Sequence, residues 1–219
     1  MHVKLVSITS PKIKDIKNSE NLIVYCARVS NPSNQLNYET NTKLIEFLIK
    51  NKHWSPFEMV DMTLEIQTSR AIASQILRHR SFSFQEFSQR YSTATNFEEI
   101  ELRLQGNKNR QVGEELIKKD DPCYLQLQEQ LNQSIKNSYI CYEEMLKRGV
   151  AREVARLILP LCTTTVLYMK GSLRSWMHYI ALRTENNTQK EHRLVAQHCE
   201  DIFKNEFPNV YNAYIKFYK

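Results

Sequence analysis

The alternation of apolar and polar positions is sharpest between Met59 and Gln67, where Val60, Met62, Leu64 and Ile66 fall on one side. A period of two predicts a half-buried strand. Residues 2 to 8 predict a first strand, and the β-rich run Leu161 to Met169 predicts a core strand. Elsewhere the period is helical. Ser19 to Ser30 predicts a short helix capped by Ser19, with Leu22, Val24, Tyr25 and Ala27 inside. Tyr38 to Lys50 predicts an amphipathic helix through Leu44, Phe47 and Leu48. Ser69 to His79 predicts another, with Ile72, Ile76 and Leu77 on its apolar side. The strongest pattern is Pro122 to Arg148, whose apolar stripe runs from Leu125 to Leu146 and is closed by Gly149. Ala151 to Pro160 has a helical start, Gly171 to Arg183 predicts a helix capped by Ser172, and Gln189 to Phe207 an amphipathic one. After Pro208, Val210 to Tyr218 predicts a short aromatic helix.

Between these elements Ser92 to Asp121 is polar and irregular, with Glu98-Glu99, Lys108, Arg110 and Lys118-Lys119. It predicts a long loop broken by one short helix. No linker, internal repeat or low-complexity tract divides the chain, so the whole predicts one α+β domain over residues 1–219.

Composition narrows the function classes. No run of eighteen apolar residues occurs, and Met1-His2-Val3-Lys4-Leu5-Val6 lacks a signal-peptide layout; a cytoplasmic protein is expected. The five cysteines are widely spread with no Cys-x-x-Cys pair, which suggests neither a disulfide framework nor a zinc site. The net charge of +6 suits polyanionic ligands, nucleotides and nucleic acid alike. The four glycines form no phosphate-binding turn. A dinucleotide held here must be held by side chains, which directs attention to clustered arginines.

The densest cluster is Arg78-His79-Arg80-Ser81-Phe82-Ser83-Phe84-Gln85-Glu86-Phe87-Ser88-Gln89-Arg90-Tyr91. A charge-rich run is most simply a solvated face, but phenylalanines interleaved with arginines argue against a merely wet surface. Gln75 and Arg78 share a face near the end of the preceding helix. If the chain is extended beyond Arg80, Glu86, Ser88 and Arg90 point the same way. Arginine forks suit phosphate because they donate two parallel hydrogen bonds and stay charged. Elsewhere Arg152 and Arg156 share a helix face, where pairing with Glu153 or a distant acid is an even alternative to ligand binding. Arg174 and His178 share a face of the 171–183 helix, while Arg183 falls on roughly the opposite one. His53 alone reads as structural or surface, and Glu58 as a partner for a nearby arginine. Cys162 reads as a buried thiol, Ser88 lacks a local Ser-His-acid pattern, and His192 and His198 lack metal-ligand partners at suitable spacing.

The run from Arg78 to Tyr91, with His53-Trp54-Ser55-Pro56-Phe57-Glu58, Arg152-Glu153-Val154-Ala155-Arg156 and Ser172 to Arg183, resembles the flavin-dependent thymidylate synthases. The likeness extends from about His53 to Arg183. Gln85 stands where that family has asparagine, and Ser172 also departs from its common pattern. The resemblance implies an antiparallel sheet with several packed helices, assembled as a homotetramer with active sites shared between subunits. It implies reductive methylation of dUMP to dTMP, with 5,10-methylenetetrahydrofolate as carbon donor and NADPH-reduced FAD as hydride donor. It assigns Arg183 to catalysis at the uracil. It assigns dUMP binding to Gln75, Ile76, Leu77, Arg78, Glu86, Phe87, Ser88, Gln89, Arg90 and Arg156. FAD falls to His53, Ser55, Arg78, His79, Arg80, Glu86, Ser172, Leu173, Arg174 and His178. No metal, nucleic acid or membrane is implied. The competing classes are a nucleic-acid-binding module, which the positive charge would serve, and a non-catalytic relative that keeps the fold. A flavin chromophore separates the enzyme from the first, and turnover separates it from the second.

Overall fold

The computed structural model describes residues 1–93, 96–107, 109–118 and 120–219. Lys108 and Lys119, counted in the polar stretch above, lie outside them.

Four strands form the main sheet: β1 (His2–Ile8), β2 (Asp61–Ser69), β3 (Ser83–Glu86) and β6 (Thr164–Ser172), in the order β1-β2-β6-β3. Every neighbouring pair is antiparallel. The alternation along β2 has the outcome that its period predicts. Met62, Leu64 and Ile66 are fully buried, while Lys4 of β1 and Glu65 of β2 pair at 2.9 Å on the other face. An antiparallel sheet tolerates one wetted face because hairpin-type connections leave that face uncovered. The central pairing runs from Asp61 opposite Ser172 to Ser69 opposite Thr164. Gly171 admits close packing here: a Cβ on it would lie 2.5 Å from the Phe82 ring.

Helices cover the buried face. They are α1 (Ser19–Ala27), α2 (Asn41–Lys50), α3 (Arg70–Ile76), α6 (Leu173–Arg183), α7 (Lys190–Glu206) and α8 (Pro208–Phe217). Trp176, Tyr179, Phe203, Phe207 and Tyr214 fill the space between them and the sheet. Each fully buried side chain of this size stabilises by roughly 1.5–3 kcal/mol. Buried Glu20 of α1 accepts hydrogen bonds from Asn209 Nδ2 at 2.8 Å and Val210 N at 2.9 Å. It thereby places negative charge at the start of α8, where a helix dipole favours it.

Three expectations need correction. Asn18, not Ser19, caps α1, because its side chain reaches Asn21 N at 2.9 Å while the Ser19 hydroxyl donates to Thr9 O. Extended backbone ends at Glu86; residues 88–91 form a turn, with Tyr91 N donating to Ser88 O at 3.1 Å. Ser88 and Arg90 therefore do not continue the alternation of Glu86. Between residues 92 and 121 the described residues hold a two-stranded ribbon and no helix: β4 (Arg103–Gln105) pairs with β5 (Gly113–Leu116). The helix α4 (Pro122–Lys147) forms as its periodicity predicts, with Tyr142 as its one buried residue. Leu131, Ile135, Tyr139 and Leu146 of the stripe are half-buried, whereas Leu125 at its start is 59% exposed and Ile140, off the stripe, 53%. Gly149, at φ +81°, follows α4 as expected. Among the described residues no helix is long and apolar enough to cross a membrane.

Candidate active site

Two helices leave the central strands directly. α3 follows β2 without a break, and α6 follows β6. Because the strands are antiparallel, the helices start from opposite ends of the sheet. Just beyond the end of α3, His79 meets the last residue of α6: Arg183 Nε donates to His79 Nε2 at 2.9 Å. The His79 ring also lies edge-on to Tyr179, 4.9 Å between centroids. Burial, then the charge of Arg183, then His178, lowers the His79 pKa to about 4. The ring is neutral at pH 7 and accepts through Nε2, so its proton sits on Nδ1. Arg183 has no carboxylate partner among the described residues, and the same is true of Arg78, Arg80 and Arg156.

Gln75 of α3 belongs to the same group. Its Nε2 donates to Gln189 Oε1 at 2.7 Å, and its Oε1 faces His192 Nδ1 at 3.1 Å. Beside it, Ile76 is fully buried in the core, Leu77 is 37% exposed and Arg78 is exposed.

A second group surrounds β3. Thr165 Oγ1 donates to Glu86 Oε1 at 2.9 Å, and Arg70 Nη1 approaches the same oxygen at 3.4 Å. Arg70 Nη2 also donates to Phe87 O at 3.1 Å. Phe87 itself is partly exposed, at 37%. In the turn that follows, Arg90 N donates to Ser88 Oγ at 3.3 Å. Gln89 is buried, and its amide nitrogen has no partner. α5 (Arg152–Ala155) holds this turn in place. Glu153 pairs with Arg90 at 3.2 Å, and Arg152 Nη1 donates to Tyr91 O at 3.2 Å. Glu153 is thus the partner of Arg90, while Arg156 opens the following 3-10 turn half-buried.

The third group lines a cavity of about 370 Å³ between Trp54, Glu58, Ser81, Arg174, His178 and Tyr218. Arg174 and His178 share it, as their spacing predicts. Arg174 Nη1 donates to Glu58 Oε1 at 2.8 Å, which confirms Glu58 as an arginine's partner. His53 is exposed and edge-on to Phe47, with ring centroids 5.7 Å apart. Ser55 is exposed at the start of a 3-10 turn (Ser55–Met59), and Arg80 is exposed as well. Ser172 caps α6 by accepting from Ser175 N at 3.3 Å, and Leu173 is fully buried. The Leu173 and Ile76 side chains are sealed in the core, so any ligand contact at these positions runs through backbone.

A cationic side chain beside an aromatic wall suits a phosphate next to a flat ring. At about 370 Å³ the cavity sits low in the range of roughly 300–1,000 Å³ for small-ligand sites, so it matches part of a dinucleotide rather than a whole one. A larger cavity, about 640 Å³, lies between Met1, Glu98, Glu101, Leu116, Lys190 and Leu194 and holds none of the predicted residues. Among the described residues no cluster suited to a metal ion occurs.

Sequence reasoning missed the residues behind the site: Arg70 and Thr165 behind Glu86, and Tyr179, His192 and Gln189 behind Gln75. Only Tyr179 left a signal, since it lies four residues before Arg183 and so shares its face.

The fold and these clusters define an α+β protein whose three side-chain groups each hold an arginine and no glycine-rich turn. A family model described as thymidylate synthase complementing protein matches residues 12–209. Over 215 residues the chain is 51% identical to a flavin-dependent thymidylate synthase of Synechocystis sp., covering 96% of this chain and 97% of that protein. Over 214 residues it is 46% identical to a probable flavin-dependent thymidylate synthase of Paramecium bursaria Chlorella virus 1, covering 97% and 98%. Among solved structures, the UMP/dUMP methylase PolB from Streptomyces cacaoi, bound with 5-Br dUMP, matches with a TM-score of 0.81. Its identity to this chain is 27%, over 99% of this chain and 95% of that one. The chain belongs to the flavin-dependent thymidylate synthase family, a family of enzymes.

Proposed function

We propose that the protein converts dUMP, 5,10-methylenetetrahydrofolate, NADPH and a proton into dTMP, tetrahydrofolate and NADP⁺, with FAD as the bound cofactor. The observation that carries this reading is Arg183, held by a neutral His79 at 2.9 Å and, among the described residues, without a carboxylate to absorb its charge.

The chemical problem is to make C5 of the uracil nucleophilic without an enzyme thiolate. Cys162 is a poor thiolate: it is buried, and burial pushes its thiol pKa up. Arg183 would instead stabilise negative charge spread over the uracil N3 and carbonyl. A donor preorganised at such a position is commonly worth a hundredfold or more in rate. Arg78, Arg90 and Arg156 would hold the nucleotide phosphate and base. Gln75, Glu86 and Ser88 would hydrogen-bond sugar or base, with Ile76, Leu77, Phe87 and Gln89 completing the binding segment. Arg174 and His178 would hold part of the FAD in the cavity they line. His53, Ser55, Arg78, His79, Arg80, Glu86, Ser172 and Leu173 would supply its remaining contacts. The reduced flavin supplies the hydride.

A homotetramer with shared sites fits two features. The cavity is too small for a whole dinucleotide, and α4 leaves apolar side chains exposed along a rod about 39 Å long. A cytoplasmic setting fits five free cysteines. The test is an absorption spectrum of the purified protein, followed by NADPH oxidation and dTMP formation on adding dUMP and the folate. A flavin band and nucleotide-dependent turnover support the reading. Salt-dependent oligonucleotide binding with no chromophore would sink it.

A further inference from the structure

Tyr179, His192, Gln75, Gln189 and Glu191 form one unbroken chain of hydrogen bonds. Tyr179 Oη lies 3.1 Å from His192 Nε2, and His192 Nδ1 lies 3.1 Å from Gln75 Oε1. Gln75 Nε2 donates to Gln189 Oε1 at 2.7 Å, and Gln189 Nε2 donates to Glu191 Oε2 at 3.0 Å. Glu191 also takes a charge-assisted bond from Arg103 of β4.

The two ends of this chain demand the same polarity independently. At the inner end Tyr179 is fully buried, and burial pushes its hydroxyl pKa well above the ordinary value, so it keeps its proton. Among the described residues His192 is its one hydrogen-bond partner. The hydroxyl must therefore donate to Nε2, which leaves the His192 proton on Nδ1, pointing at Gln75 Oε1. At the outer end the Glu191 carboxylate only accepts. Gln189 must present its nitrogen to Glu191 and its oxygen to Gln75, which turns the Gln75 nitrogen toward Gln189. Reversing any one link sets oxygen against oxygen at Gln189 or Glu191, or leaves a buried hydroxyl proton unpaired. His192, fully buried, is the link that carries this constraint from the core to the surface.

We propose that His192 is a positioning residue for the nucleotide: it fixes the amide of half-exposed Gln75 so that one Gln75 N–H remains to donate to an acceptor on the pyrimidine nucleotide. This rests on the function proposed above, which places the nucleotide against Gln75. An amide has two N–H donors, and Gln189 takes one. Without His192 the Gln75 amide loses the bond that seats its oxygen inward and is held from the Gln189 side alone.

The test is steady-state kinetics of the flavin-loaded, full-length protein. His192→Phe is expected to raise KM for dUMP about tenfold, the scale of one lost hydrogen bond, while kcat changes by less than about threefold. His192→Gln keeps a donor for Gln75 and an acceptor for Tyr179, and is expected to restore KM to within about threefold of the unsubstituted protein. In a Gln75→Ala background His192→Phe should add nothing, because the group it positions is gone. Should His192→Phe fail to fold, Tyr179→Phe removes the constraint from the other side of the imidazole and should raise the same KM. An unchanged KM in these variants, or a full second increase on the Gln75→Ala background, overturns the proposal. Failure of the underlying function would appear in the unsubstituted protein, as an absence of dUMP turnover.

Discussion

Arg183 Nε and His79 Nε2 lie 2.9 Å apart, joining the last residue of α6 to the segment after α3. The histidine orients the guanidinium without neutralising it. Arg183→Ala is therefore expected to cut turnover of dUMP at least about a hundredfold while the protein retains flavin. Arg183→Lys should recover little, because a point charge lacks the planar fork. Single-turnover kinetics with a parallel flavin absorbance check this. Full turnover by Arg183→Ala would remove Arg183 from the chemistry.

Two histidines make stability depend on pH. His79 is lowered to about 4 and His192 to about 3, in both cases chiefly by burial and then by Arg183. In the unfolded chain both titrate near 6.5. Between the two values the unfolded state binds protons that the folded state does not, so stability falls as pH falls. The loss begins near pH 6.5 and continues toward 4 for His79 and 3 for His192. It approaches at most about 1.4 kcal/mol per pH unit for each proton, less for His79, whose half-exposed ring water screens. Urea midpoints measured without ligands should drop between pH 7 and 5, and His192→Gln should flatten the slope. A midpoint constant over that interval contradicts the assignment of neutral rings.

The Arg174–Glu58 pair is largely solvent-facing, with side chains 54% and 36% exposed. Such a pair contributes about 0–1 kcal/mol. Glu58→Gln should move the melting temperature by no more than a few degrees. Arg174→Ala should weaken flavin retention, read by equilibrium dialysis of FAD. Equal flavin affinity in Arg174→Ala and the unsubstituted protein would take Arg174 out of the cofactor site.

Glu20 ties residues nearly two hundred positions apart by accepting from Asn209 and Val210. Glu20→Ala leaves the Val210 N–H unpaired in the core. A loss of about 1–3 kcal/mol is expected by denaturant titration. A change below about 0.5 kcal/mol would mean that water replaces the bond.

The exposed apolar side chains of α4 bear on assembly. Leu125→Glu with Ile140→Glu places charge where an interface would be dry, and should convert the proposed tetramer to smaller species in sedimentation velocity. An unchanged sedimentation coefficient would move the interface elsewhere.

Local order along the chain was legible because periodicity is a local property. Residues 2–8 form β1, the alternation from Met59 carries into β2, and Ser172 caps α6 as its position predicts. The arginine-rich motifs also announced the family. Tertiary structure decided what those side chains do. Glu153 takes Arg90, Glu58 takes Arg174 and a neutral histidine holds Arg183. The turn at residues 88–91 and the exposure of α4 were equally hidden. Each depends on which distant segment arrives beside it, and spacing along the chain carries no record of that. His192 makes the point most plainly: on an amphipathic helix it reads as a surface or core histidine, and burial beside Tyr179 and Gln75 makes it a link in a hydrogen-bonded chain.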